Sequence, residues 1–155
     1  MKELQGAATT RVSASLAQSL ELLSAVERYP SWYPDVVRCV EVLERRSDGT
    51  AATARTTLHV SQGPFTRDID LLLSVETEPA GTVQLTRIPH DDRDRELFSV
   101  TWRVAETERG TKIDLVLDAQ LSVPRLVPLG GIGSVVAHGF VDAAARALGG
   151  GATSY

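Results

Sequence analysis

Cysteine is nearly absent. Cys39 is the only one in 155 residues, which excludes an intrachain disulfide and a cysteine-built structural zinc site. Histidine occurs only at His59, His90 and His138, on separate segments with no two at ligand spacing, so no metal site is expected. An excess of one charge sign is also missing. The 16 basic and 20 acidic residues leave a net charge of -4, too little for an electrostatic footprint that would fit nucleic acid or an anionic membrane. No apolar run approaches the roughly 18 residues of a membrane span. The segment Met1-Lys2-Glu3-Leu4-Gln5 lacks the apolar stretch of a secretory signal, so a cytoplasmic location is expected. Neither a phosphate-cradling loop ending in Lys-Ser or Lys-Thr nor Gly-x-Ser-x-Gly occurs. Gly131-Ile132-Gly133 lacks the third small residue of a dinucleotide fingerprint. Nucleotide hydrolysis and hydride transfer are disfavoured, and no cofactor is expected.

What is present is ordinary globular material: 43% hydrophobic and 23% charged residues. A chain of this length fits one domain, expected over residues 1–150 with 151–155 as a loose tail, and buries about 70% of its unfolded surface without help from metal or disulfides. Thr9, Thr10 and Val12 favour an extended segment. Leu16, Leu20 and Leu23 then recur at helical spacing behind Ser13 or Ser15 as an N-cap, and Tyr29-Pro30 is expected to close the helix, with room for a short second one up to Trp32.

From Val36 to Val123 the punctuation is that of consecutive hairpins. Turns are expected at Ser47-Asp48-Gly49-Thr50, Gln62-Gly63-Pro64, Pro79-Ala80-Gly81, the charged tract 89–95 and Glu108-Arg109-Gly110. Between them one face is persistently apolar: Phe65, Ile69, Leu71, Leu73 and Val75, then Phe98, Val100, Trp102 and Val104, then Ile113, Leu115 and Leu117. An antiparallel sheet with one solvated face carries this pattern, and its dry face needs a cover. The C-terminal segment supplies one, with Ile132, Val135, Val136, Gly139, Phe140, Ala143, Ala144 and Ala147 on one helical stripe and Ser134, His138, Asp142 and Arg146 off it. The stripe is small. Its glycine and alanines either let helix and sheet approach closely or leave unfilled volume as a pocket, with Leu126-Val127-Pro128-Leu129-Gly130-Gly131 as a lip.

This order of elements, the corner Glu27-Arg28-Tyr29-Pro30-Ser31-Trp32-Tyr33-Pro34-Asp35-Val36, the strand pair Trp102 to Gly110-Thr111 and the terminal helix resemble the polyketide cyclase/dehydrase-like branch of the START/Bet v 1-like (SRPBCC) superfamily. The resemblance spans nearly the whole chain. It implies an α+β helix-grip, in which a seven-stranded antiparallel curved sheet wraps a long C-terminal helix, with one or two short helices after the first strand and an apolar cavity inside. Relatives include ligand carriers, coenzyme Q-binding proteins and aromatase/cyclases, so fold alone does not decide function.

Several residues are candidates for a site. Arg67 falls on the apolar face between Phe65 and Ile69, where a guanidinium would either grip a ligand oxygen or reach water along its stem. Aromatase/cyclase relatives use a cavity arginine. Trp102 packs the core or lines a flat ligand. Trp32 and Tyr33 staple helix to sheet or gate a cavity mouth, and the Tyr33 phenol is the acid candidate. Phe65 and Phe140 complete the expected ligand-binding set. His59 is read as solvated, His90 as inert, His138 as a surface partner of Asp142, and Cys39 as a buried thiol. The first expectation is binding or transport of a small hydrophobic molecule (lipid, quinone or polyketide-like). The alternative is a cyclase or dehydratase using Arg67 with Tyr33 or Trp102. A protein-interaction role is a weaker third reading, and homodimerisation stays open.

Overall fold

The computed structural model describes residues 2–62, 64–121 and 131–149, with the side chains of Lys2, Gln62 and Phe65 left out. Strand β1 (Lys2–Val12) leads into helix α1 (Leu16–Ser24), a 3-10 turn (Val26–Arg28) and the one-turn helix α2 (Tyr29–Trp32). Strands β2 (Val37–Arg45), β3 (Ala51–Gln62), β4 (Phe65–Glu78), β5 (Thr82–Arg87), β6 (Leu97–Thr107) and β7 (Gly110–Leu121) follow, and helix α3 (Ile132–Ala147) ends the described chain. The strands form one seven-stranded sheet in the order β1-β7-β6-β5-β4-β3-β2, every pairing antiparallel. This is the expected helix-grip.

Local chemistry explains the element boundaries. Ser15 starts α1 through a capping box: its Oγ accepts from the Gln18 amide at 3.1 Å, and Gln18 Oε1 accepts from the Ser15 amide at 2.9 Å. Pro30 does not end that helix, which has already stopped at Ser24; it opens α2 instead, where its missing N–H costs nothing. Tyr29 therefore takes helical angles (φ -52°, ψ -41°) ahead of a proline, a disfavoured choice. It is held there by burial and by its hydroxyl, which donates to Leu23 O at 2.5 Å.

Strand parity places the core. Leu71, Leu73 and Val75 of β4, Phe98, Val100, Trp102 and Val104 of β6, and Ile113, Leu115, Leu117, Ala119 and Leu121 of β7 are all buried on one face. Helix α3 lies along β1 and β7. Its closest approach is backbone to backbone: a Cβ on Gly6 would sit 2.1 Å from Gly133 O, and one on Gly133 would sit 2.2 Å from Gln5 O. At Gly133 the absence of a side chain thus serves close approach.

Three expectations are corrected. The buried side of α3 is turned toward Gly133, Ala137 and Val141, so Val135 is 71% exposed and Ala147 is exposed as well. Cys39 is exposed, because it points outward from the edge strand β2. The charged tract is not uniformly solvated. Asp94 folds back on Arg87 in a two-pronged ion pair (2.9 and 2.5 Å) and also accepts the amides of His90 and Glu96. Both side chains are largely covered, and Arg87 donates a further bond to Glu96 O at 2.9 Å. The β5–β6 connection is therefore clamped. The proposed lip at 126–130 and the tail at 151–155 lie outside the described residues.

Candidate functional site

Two neighbouring spaces lie where α2, β2, β3 and α3 converge. The first is interior, lined by side chains such as Val26, Tyr29, Val37, Leu58, Leu73 and Phe140. About 30 Å³ of it is open to the centre of a water-sized sphere, enough for a water but far below the several hundred Å³ of a typical ligand pocket. Among its described lining residues only Tyr29 and Thr56 carry polar side-chain atoms, and both are engaged: Tyr29 with Leu23 O, and Thr56 Oγ1 with Cys39 O at 2.9 Å. A water needs two to four polar partners, so this space is dry.

The rest of the volume is filled by aromatic rings. Phe140 is the hub, 4.5 Å from Tyr33, 5.6 Å from Trp102, 5.9 Å from Tyr29 and 6.1 Å from Trp32 between ring centroids. Tilted and edge-to-face contacts of this kind are each worth about 0.5–1.5 kcal/mol beyond burial. Two donors in the cluster have no acceptor among the described residues: the indole N–H groups of Trp32 and Trp102. That of Trp102 is near enough to the Tyr29 hydroxyl to bear on its ionisation without meeting the geometry of a hydrogen bond. A buried donor left unmade costs about 1–3 kcal/mol, so these groups call for an explanation.

The second space is an open groove of about 450 Å³ between α3, the end of β3 and the proline corner. Its apolar walls are Val36, Val60, Ile132, Val135 and Val136, and Asp35, Asp142 and Arg146 stand at its edge. Val135, which the sequence pattern assigned to the core, is one of these walls. Tyr33 lies between the two spaces, with its ring against Phe140 and its hydroxyl donating to Val136 O at 3.2 Å. The ring tip passes directly over Gly139, where a Cβ would meet Tyr33 Oη at 2.2 Å. Burial pushes the phenol pKa up to about 12, helped by the carboxylates of Asp35 and Asp142 and opposed by Arg146. Tyr33 thus stays protonated at neutral pH and can act as a donor. Burial raises Tyr29 further still.

The anticipated residues separate into two groups. Trp32, Tyr33, Trp102 and Phe140 meet in one cluster. Arg67 does not join it: the inward parity of its position holds, but the side chain is exposed at the start of β4, while α3 leans over β1 and β7. The side chain of Phe65 lies outside the described residues. His59 pairs across strands with Asp68 (Nδ1–Oδ1 2.7 Å) on the face opposite Leu58. His138 bonds Ser134 O through Nδ1 at 2.8 Å rather than Asp142, and no cluster of potential metal ligands occurs among the described residues. No described helix is long and apolar enough to cross a membrane.

A sequence profile described as "Polyketide cyclase / dehydrase and lipid transport" matches residues 12–145. The chain belongs to that family. The match begins at the end of β1 and runs almost to the end of α3, so it takes in every element of this polyketide cyclase/dehydrase-family site. No curated protein sequence matches. Among solved structures, a START superfamily protein from Mycobacterium smegmatis has 19% identity and a TM-score of 0.72, over 94% of this chain and 97% of that one. A protein from Thermus thermophilus has 15% identity and a TM-score of 0.68, over 99% of this chain and 100% of that one. The Zhui aromatase/cyclase from Streptomyces has 17% identity and a TM-score of 0.54, over 96% of this chain and 87% of that one. At such identities these likenesses establish the shared fold.

Proposed function

We propose that this family member binds and carries a small hydrophobic molecule, of lipid, quinone or polyketide-like character, in the space now filled by the Phe140 cluster. The observation that carries the reading is the pair of unpartnered indole donors, Trp32 and Trp102, beside a dry apolar cavity. A guest with a carbonyl or ether oxygen would give such donors an acceptor, while its apolar body replaced ring–ring contacts. The family description, which couples cyclase/dehydrase chemistry with lipid transport, fits this reading.

A cyclase in the same space has less support. Arg67 is exposed, and the only titratable side chain among the described residues lining the cavity is Tyr29, whose hydroxyl is bound to Leu23 O. General acid–base chemistry needs a group poised near the working pH and within reach of the reacting atom.

The test is equilibrium titration with N-phenyl-1-naphthylamine, a neutral fluorophore that brightens in apolar surroundings. Wild type should bind one equivalent. Ala54→Val, which fills space at a cavity-lining position that is 1% exposed, should remain folded and lose most of the binding. Equal binding by both proteins would place the fluorophore elsewhere and remove the proposal.

A further inference from the structure

The interior space is too small for a guest, while the groove beside it offers about 450 Å³. Residues one or two positions apart in the chain divide between them: Val37 and Leu58 line the interior, and Val36 and Val60 line the groove. Tyr33, Phe140 and Val136 stand at the division. Phe140 belongs to the interior lining; Tyr33 and Val136 belong to the groove.

We propose that Tyr33 is a latched gate between interior and groove, and that swinging it outward joins the two into one site for an amphiphile, whose apolar body lies against Phe140 and whose polar end stays among Asp35, Asp142 and Arg146. The proposal rests on the carrier reading above and adds the route and orientation of the guest.

Three features make Tyr33 the movable element. Its hydroxyl is fastened by a single neutral hydrogen bond, 3.2 Å to Val136 O, longer than is usual for a hydroxyl donor. Val136 O is a helix carbonyl of α3, so the fold does not need the phenol to satisfy it. The ring tip also occupies the place of the missing Cβ at Gly139, with 3.0 Å to Cζ and 3.3 Å to Cε1 from where that atom would be. A methyl group there can be accommodated only if the phenol moves, and the open groove is the free direction. The Tyr33 ring is also stacked on Trp32 (interplanar angle 13°), so the same swing uncovers the indole whose N–H lacks an acceptor.

The chemistry of the groove sets the orientation of the guest. Its walls are mainly valine and isoleucine, with His59 and Ser61 beside Val60, and Asp35, Asp142 and Arg146 lie near enough to the Tyr33 hydroxyl to bear on its ionisation. None of the three forms an ion pair with a described residue. A polar end can therefore be hydrated and hydrogen-bonded there without entering the dry interior, where it would lose its water.

The experiment compares wild type, Tyr33→Phe and Gly139→Ala by two readouts. Stopped-flow binding of N-phenyl-1-naphthylamine should show association accelerated about fivefold in Tyr33→Phe, the worth of one neutral hydrogen bond, with dissociation changed less than about twofold and Kd tightened to match, because the latch is broken in the bound state as well. Gly139→Ala, which displaces the phenol by contact, should accelerate association at least as much. Acrylamide quenching of tryptophan emission, which needs no ligand, should rise in both variants at unchanged far-ultraviolet circular dichroism. Unchanged quenching together with wild-type rates overturns the gate and leaves the carrier reading standing. Raised quenching with no fluorophore uptake by any of the three proteins supports the gate and overturns the carrier reading. A change in Kd carried by dissociation alone would make Tyr33 a ligand contact and not a gate.

Discussion

Replacing Gly133 by alanine sets two effects against each other, and the structure decides between them. Alanine is the better helix former by about 1 kcal/mol, so an exposed glycine in the middle of a helix would be improved by the change. At Gly133 the new Cβ would sit 2.2 Å from Gln5 O and 2.9 Å from Gln5 N. Both are backbone atoms of β1, which is locked in register against β7 through Gln5↔Asp118 and Gly6↔Leu117. No side chain can rotate away, so α3 must lift from the sheet. Overpacking costs about 1–3 kcal/mol and sometimes more, and an obstacle made of backbone belongs at or above the top of that range. The net loss expected is about 2 kcal/mol, which for a chain of this size lowers Tm by roughly 4–8 °C. Differential scanning calorimetry of Gly133→Ala beside Ser134→Ala, an exposed neighbour expected within about 0.5 kcal/mol of wild type, measures it. A Gly133→Ala protein as stable as wild type, or more so, would refute the direct helix–strand contact.

Three further outcomes follow from the same structure. Arg67→Ala should leave both Tm and N-phenyl-1-naphthylamine affinity at wild-type values, because the side chain is exposed and outside the cluster; a large loss of affinity would return it to the site. Stability should fall as pH rises above about 10, where tyrosines of the unfolded chain ionise while Tyr33 holds its proton until about 12; denaturant titrations along that range would show a level profile if burial did not protect the phenol. The Asp94 carboxyl lies below the usual range, chiefly because Arg87 bonds to it, so the loop clamp should hold above about pH 4 and weaken as pH falls further. Faster amide exchange at His90 and Glu96 in Asp94→Asn at neutral pH would check the same clamp.

The sheet was readable because strand parity repeats over many residues: Phe98, Val100, Trp102 and Val104 can share a face in only one way, and all four are buried. Helix α3 was harder. Small or apolar residues occupy both the 132–136–140 and the 133–137–141 rows, so the pattern did not say which way the helix was turned. The contact of Gly133 with Gln5 and Gly6 settles that, and it joins opposite ends of the chain. Arg67 shows that parity assigns a face but not its coverage, since the apolar face of β4 becomes buried only farther along the strand. Asp94 was legible as a turn residue and not as the partner of Arg87, because a mixed-charge tract does not reveal which carboxylate folds back. Tyr33 is marked by the proline corner only as a candidate staple or gate. Its bond to Val136 and its seat over Gly139 depend on how α3 meets α2, which no local pattern carries.

The most direct test of a guest-accepting interior is a methyl NMR titration of wild type with N-phenyl-1-naphthylamine. The account predicts saturable shifts at Val37, Leu58, Leu73, Leu85 and Val100, which surround the interior space, while the exposed methyls of Leu97 and Val116 stay still. Shifts confined to Leu97 and Val116, or an unmoved interior at saturating fluorophore, would contradict it.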